Sequence, residues 1–141
     1  MSTRNNKRDR LLFVLPYMER GGTERHALHL MRRLRVEHDV ALLAPPGPML
    51  DDFLRLDIEY RPFPRLEKKV LSAVRQFRRA LQHLMDTFQP HVVHVHAAAE
   101  LALLVRTVNS KVPVVLTTHG FAVANPSANY RLAALLCRLS R

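Results

Sequence analysis

The sequence predicts an α/β fold, a parallel sheet with helices on both faces, from two observations. Short runs rich in Val and Leu alternate with stretches of helical period, the pattern of repeated strand–helix units. Three of those runs, "LLFVLPY" (11–17), "DVALLAP" (39–45) and "VPVVLTTH" (112–119), are nearly continuous in apolar residues. Strands covered on both faces read that way.

The remaining strands are expected at "IEYRPF" (58–63) and "HVVHVHA" (91–97). Helices are expected at about 23–35, 48–56, 66–88, 98–109 and 127–140. The third is the clearest, because Val70, Val74, Phe77, Leu81, Leu84 and Phe88 recur every three or four residues and form one apolar stripe. Pro90 should end it, since proline cannot continue a helix.

A chain of 141 residues fits one domain with a sizeable core. With 48% hydrophobic and 24% charged residues, the composition is that of a globular protein rather than a disordered one. Residues 1–10 carry Arg4, Lys7, Arg8 and Arg10 with few apolar groups, so they read as a basic disordered tail. The folded domain is expected over 11–125, followed by a terminal helix in 126–141 that looks cut short.

The single cysteine, Cys137, has no partner for an internal disulfide and suits a reducing compartment. The opening apolar run is short, is broken by Pro16 and leads into Glu19 and Arg20, unlike a cleavable leader. No apolar run reaches the ~18–20 residues of a membrane-spanning helix. The expected location is therefore cytoplasmic, with peripheral contact to the inner membrane face left open.

A net charge of +10 favours anionic partners. Lys68, Lys69, Arg75, Arg78 and Arg79 make one side of the third helix basic, either as an ordinary solvated face or as a surface for anionic lipid. Nucleic acid is disfavoured, because aromatics are only 6% of the chain and no recognition motif is present.

In such sheets ligands bind outside the carboxyl ends of the strands. There, "MERGGTER" places Gly21 and Gly22 before a helix for which Thr23 is a plausible N-cap. Glycines at that junction leave backbone N–H groups open to an anion or a hydroxyl at the positive end of the helix. Neither the G-x-G-x-x-G nor the G-x-x-x-x-G-K-[ST] spacing is present, which removes the dinucleotide and P-loop readings.

"HVVHVHAAAE" puts His94 and His96 on one face of a strand, with Glu100 beyond, but no third residue has compelling metal-ligand spacing. His94 should hydrogen-bond within the sheet while His96 emerges at the strand end. "VVLTTHGF" places Thr118, His119 and Gly120 at the end of the last strand, facing the same crevice as the glycine loop. His26, His29, His38, His83 and His91 are scattered and carry no particular expectation.

Taken together and in order, "LPYMERGGTERHALHLMRRL", "HDVALLAP", "QPHVVHVHAAAELALLVRTV" and "VPVVLTTHGF" resemble the amino-terminal, Rossmann-like domain of family 4 glycosyltransferases, which have the two-domain GT-B architecture. The resemblance implies transfer of a sugar from a nucleotide-sugar donor to an acceptor glycan or lipid. It implies retention of configuration, with no metal and no cofactor beyond the donor substrate. It assigns Gly21, Gly22, Thr23 and Glu24 to a loop that contacts donor phosphate and acceptor. It assigns His119, flanked by Thr118 and Gly120, to the transferred sugar as the catalytic-site histidine, and His96 to the acceptor edge. It also implies a carboxy-terminal donor-binding domain, with its pair of glutamates, that this sequence does not include. The alternative expectation is a non-catalytic basic module that binds anionic lipid or a partner subunit.

Overall fold

The computed structural model describes residues 8–66 and 69–119. Lys68, Gly120, Cys137, the first seven residues and the helix expected at 127–140 lie outside the described residues.

Among the described residues nine elements follow one another in strict alternation: β1 (Arg10–Val14), α1 (Gly22–Leu34), β2 (Asp39–Ala44), α2 (Leu50–Leu54), β3 (Glu59–Pro62), α3 (Val70–Thr87), β4 (Val92–His96), α4 (Ala99–Val108) and β5 (Val114–Thr117). The five strands form one sheet in the order β3-β2-β1-β4-β5. Every pairing is parallel, with Leu11 opposite both Val40 of β2 and Val92 of β4. The fold is therefore the Rossmann-like α/β sheet the sequence predicts.

Alternate side chains of the strands feed two cores. Leu12, Val14, Ala41, Leu43, Val93 and Val95 pack with Phe77, Leu81 and Leu84 of α3 and Leu101 and Val105 of α4. On the other face Phe13, Leu15, Leu42 and Ala44 pack with Ala27, Leu28 and Met31 of α1 and Phe53 of α2. Both faces of β1 and β2 are thus covered, which is why those strands show no polar alternation.

Several boundaries shift, each for a local reason. β1 ends at Val14 because Pro16 has no N–H to donate; Leu15 still reaches Leu43 O at 3.1 Å. At its other end Arg8, Asp9 and Arg10 make specific contacts, with Arg8 and Asp9 still exposed. Arg8 pairs with Asp39 at 3.3 Å, Asp9 O accepts from Asp39 N at 2.8 Å, and Arg10 Nε donates to Gln89 O at 2.8 Å.

α3 begins at Val70, not near 66, because Lys69 takes a left-handed conformation (φ 50°, ψ 52°) that no helix can run through. Its first turn consequently projects past the core: Val70 is 54% and Leu71 84% exposed, and Ala73 takes the buried place expected of Val70 and Val74. Its far end matches the expectation. Gln89 adopts φ 51° immediately before Pro90, and its N–H caps Leu84 O at 3.0 Å.

One glycine outside the predicted site is required by packing. A Cβ on Gly47 would lie 2.5 Å from the carbonyl oxygen of Met18, so only glycine lets the β2–α2 loop close against the segment after β1. That segment leads directly into the candidate site.

Candidate functional site

β1 has β2 on one side and β4 on the other, so the direction of chain progression reverses between β1 and β4. A crevice opens at the carboxyl ends of strands at such a switch point. The β1–α1 loop, the end of β4 and the residues after β5 meet there.

Gly21 is the N-cap of α1, with extended backbone (φ −98°, ψ 176°) and no side-chain cap. Thr23 is therefore not the cap; it lies in the first turn, and the first helical bond runs from Arg25 N to Gly21 O at 3.2 Å. Glu24, in the first turn, folds its side chain back over the loop and accepts from Glu19 N at 3.4 Å, which ties the loop to the helix without capping it. A Cβ on Gly21 would meet Glu24 Oε2 at 2.6 Å, whereas one on Gly22 would meet nothing within 4 Å. The two glycines thus have different reasons: the first makes room for a carboxylate of its own chain, the second leaves open space.

The loop is also anchored sideways. Arg65, from the β3–α3 connection, pairs with Glu19 and lies 5.7 Å over the ring of Tyr17.

Four imidazoles gather beside this loop on the α1 face of the sheet. His94, level with Phe13 in the β1–β4 pairing, has Nε2 2.6 Å from Thr117 Oγ1 and so has the in-sheet partner expected of it. Its ring stacks on His96 with centroids 4.3 Å apart, and Phe13 backs both rings at 5.1 and 5.7 Å. His119 lies 5.9 Å from His96.

His96 does not emerge at the strand end; it is fully buried, and neither of its ring nitrogens has a hydrogen-bond partner among the described residues. Burial, reinforced by His94, His119 and His26, pushes its pKa down to about 3. Burial and then His26 lower that of His94 as well. These rings are neutral near pH 7, each able to donate at one nitrogen and accept at the other.

The fourth imidazole is His26, which carries no expectation from its sequence context. Its ring sits 5.4 Å from His119 and 5.8 Å from His96. The only sequence signal was its place in the opening turns of the helix after the glycines.

Among the described residues, no group of three or more His, Cys, Asp or Glu side chains is placed to hold a metal ion. Thr118 directly follows β5, next to His119, and it is Thr117 that bonds the sheet histidine. Arg75, Arg78 and Arg79 are exposed on α3, which packs on the sheet face opposite α1, so the structure does not bring them to the imidazoles. No helix among the described residues is long and apolar enough to cross a membrane.

The sequence profile of Glycosyltransferase Family 4 matches residues 20–141, nearly all of the chain. The chain belongs to glycosyltransferase family 4.

Solved structures agree on the fold. A glycosyltransferase from Rickettsia africae superposes with a TM-score of 0.69 at 16% identity, over 89% of this chain and 33% of that one. MurG from Acinetobacter baumannii gives 0.59 at 16% identity, over 89% of this chain and 38% of its own. The chain spans about a third of the length of these two proteins. The C-terminal domain of a Pyrococcus furiosus hydrogenase also superposes, at 0.52 with 15% identity over 79% of this chain and 91% of that domain. The sheet alone therefore does not select a chemistry. No curated protein sequence compared with the chain matches it.

Proposed function

We propose that this family 4 chain is the acceptor-side half of a retaining glycosyltransferase, moving a sugar from a nucleotide-sugar donor to an acceptor glycan or lipid. A separate donor-binding domain completes the cleft. The observation that carries the reading is the group of four imidazoles beside the glycine loop at the switch point.

Breaking the bond between sugar and phosphate builds positive charge at the sugar and negative charge on the leaving phosphate. His119, with Thr118 and Gly120, orients the sugar by hydrogen bonds to its hydroxyls. Gly21, Gly22, Thr23 and Glu24 contact donor phosphate and acceptor, with the helix N-terminal amides of Gly22 and Thr23 stabilising the leaving phosphate, and His96 belongs to the acceptor edge. No metal and no protein nucleophile takes part.

The reading is tested on the chain joined to a donor-binding domain. His119→Ala is expected to lower sugar transfer by more than about tenfold with circular dichroism unchanged, as loss of a positioning contact does. Full activity in the variant would remove His119 from the mechanism.

A second reading, favoured by the exposed Val70 and Leu71 next to a basic face, is docking on anionic lipid, whether or not this chain supports turnover. Apolar residues at the first turn of α3, with Lys69, Arg75, Arg78 and Arg79 along it, combine insertion with charge attraction. It puts the protein in the cytoplasm at the inner membrane face, and Lys68 belongs to the same basic set. Binding to phosphatidylglycerol vesicles but not to phosphatidylcholine is expected, and to be lost in Arg75→Glu/Arg78→Glu/Arg79→Glu. Equal binding by that variant would leave the face as ordinary solvated surface.

A further inference from the structure

His26, His96 and His119 come from three different parts of the fold, yet their rings make a nearly equilateral triangle. The centroid of His26 lies 5.8 Å from that of His96 and 5.4 Å from that of His119, and the last two are 5.9 Å apart. The corners are not held alike. His96 is fully buried at the end of β4, where the rings of Phe13 and His94 stack against it. His119 stands two residues past Thr117, the end of β5, whose carbonyl oxygen accepts from Ala97 N at 2.8 Å. The strand ladder fixes the backbone as far as Thr117, so the plane of the His119 ring is set by what the ring packs against.

Two of those neighbours differ in geometry. His96 lies nearly parallel to His119, at 24°, whereas His26 crosses it at 73°. A parallel neighbour fixes the tilt of a ring but lets it slide and turn; a second ring set across it removes that freedom. The core does not need His26 for this helix. Ala27, Leu28 and Met31 bury α1 against the sheet, while His26 is exposed and its ring meets those of His96 and His119.

We propose that His26 is a positioning residue whose ring, packed edge-on, fixes the plane of the His119 ring. The consequence for catalysis rests on the glycosyl-transfer reading; the ring contact does not. Hydrogen bonds are directional, so a His119 ring free to turn would present its nitrogen to the sugar in the right line only part of the time. Edge-on aromatic pairs are favoured at centroid separations of about 4.5–7 Å, because the positive edge of one ring meets the negative face of the other. Such a contact needs no ring nitrogen, so phenylalanine can fill the place of His26 and alanine cannot.

The test has two arms. On the 141-residue chain, NMR carbon relaxation of the His119 ring reads its order on the picosecond-to-nanosecond timescale. That order is expected to fall in His26→Ala and to be kept in His26→Phe, with the urea midpoints of both near wild type because residue 26 is exposed. A His119 ring equally ordered in all three proteins overturns the proposal. On the chain joined to a donor-binding domain, His26→Ala is expected to lower kcat by about tenfold with KM for the nucleotide sugar within about twofold, and His26→Phe to restore it. In a His119→Ala background, His26→Ala is expected to cost nothing more, since residues that act through one contact are not additive. Full kcat in His26→Ala overturns the positioning role. The same loss with and without His119, or a phenylalanine variant as slow as the alanine one, would mean that the His26 imidazole acts by itself, and overturns it too. Failure of the transfer reading looks different: the joined wild type, or its His119→Ala variant at full rate, would refute that reading while ring order in His26→Ala still fell.

Discussion

Acidification from pH 6.5 to 3 is expected to cost this fold on the order of 4 kcal/mol through His96 alone. In the unfolded chain the imidazole takes up a proton near its ordinary pKa of about 6.5. In the folded chain it resists until about pH 3, because burial comes first and His94, His119 and His26 add repulsion. Between those values the unfolded state binds more protons, so stability is full above the unfolded pKa and falls by about 1.4 kcal/mol per pH unit below it. His94, lowered by burial and by His26, acts in the same direction. The check is urea unfolding of wild type and His96→Leu across that range. The variant should show a shallower pH dependence and, having lost two buried nitrogens that have no partner among the described residues, no loss of stability at pH 7. An unchanged slope would mean that His96 is not what makes the fold acid-sensitive. A side chain that burdens the folded state in this way, and would be better replaced by an apolar one, is most simply explained by a ligand that uses it.

The sheet was legible in the sequence because its determinants are local. The run Leu11–Leu15 has no polar alternation because α1 and α3 cover its two faces, and the period of Phe77, Leu81 and Leu84 reports one buried helix side. What sequence reasoning missed depends on residues distant along the chain. His26 acquires meaning only when β4 pairs with β1 and carries His96 under the first turns of α1. The same pairing buries His96, which from alternation alone should have emerged. Thr23 has the chemistry of an N-cap, but the helix starts one residue earlier with Gly21 at the cap position and no side-chain cap, whereas propensity alone ranks the hydroxyl first. The late start of α3 turns on a single left-handed residue, Lys69, which is not of a type that marks such positions.

Phe77→Ala is expected to destabilise the fold by about 3–5 kcal/mol, the cost of emptying a buried aromatic site. Phe77 is fully buried at the middle of α3, and its ring meets the edge of Phe63 at 4.9 Å and 81°, a favourable aromatic geometry lost with it. Phe63 follows β3 and Phe77 belongs to α3, so this contact closes the β3–α3 connection from which Arg65 reaches Glu19 beside the glycine loop. The damage should therefore extend beyond stability: the Arg65–Glu19 tie would loosen, and the Gly21 and Gly22 amides should exchange with solvent faster than in the wild type. Leu71→Ala, on the same helix but 84% exposed, is the matching control and should stay within about 0.5 kcal/mol of wild type. Chemical denaturation with hydrogen exchange reads both effects at once. Loss of stability without faster exchange at the glycines would show that α3 supports the core but not the site. Equal stability of the two variants would mean that the apolar seam of α3 is not what holds it to the sheet. The expected contrast separates the two sides of this helix, one carrying the fold and the site behind it, the other leaving its exposed leucine and arginines free to meet a surface.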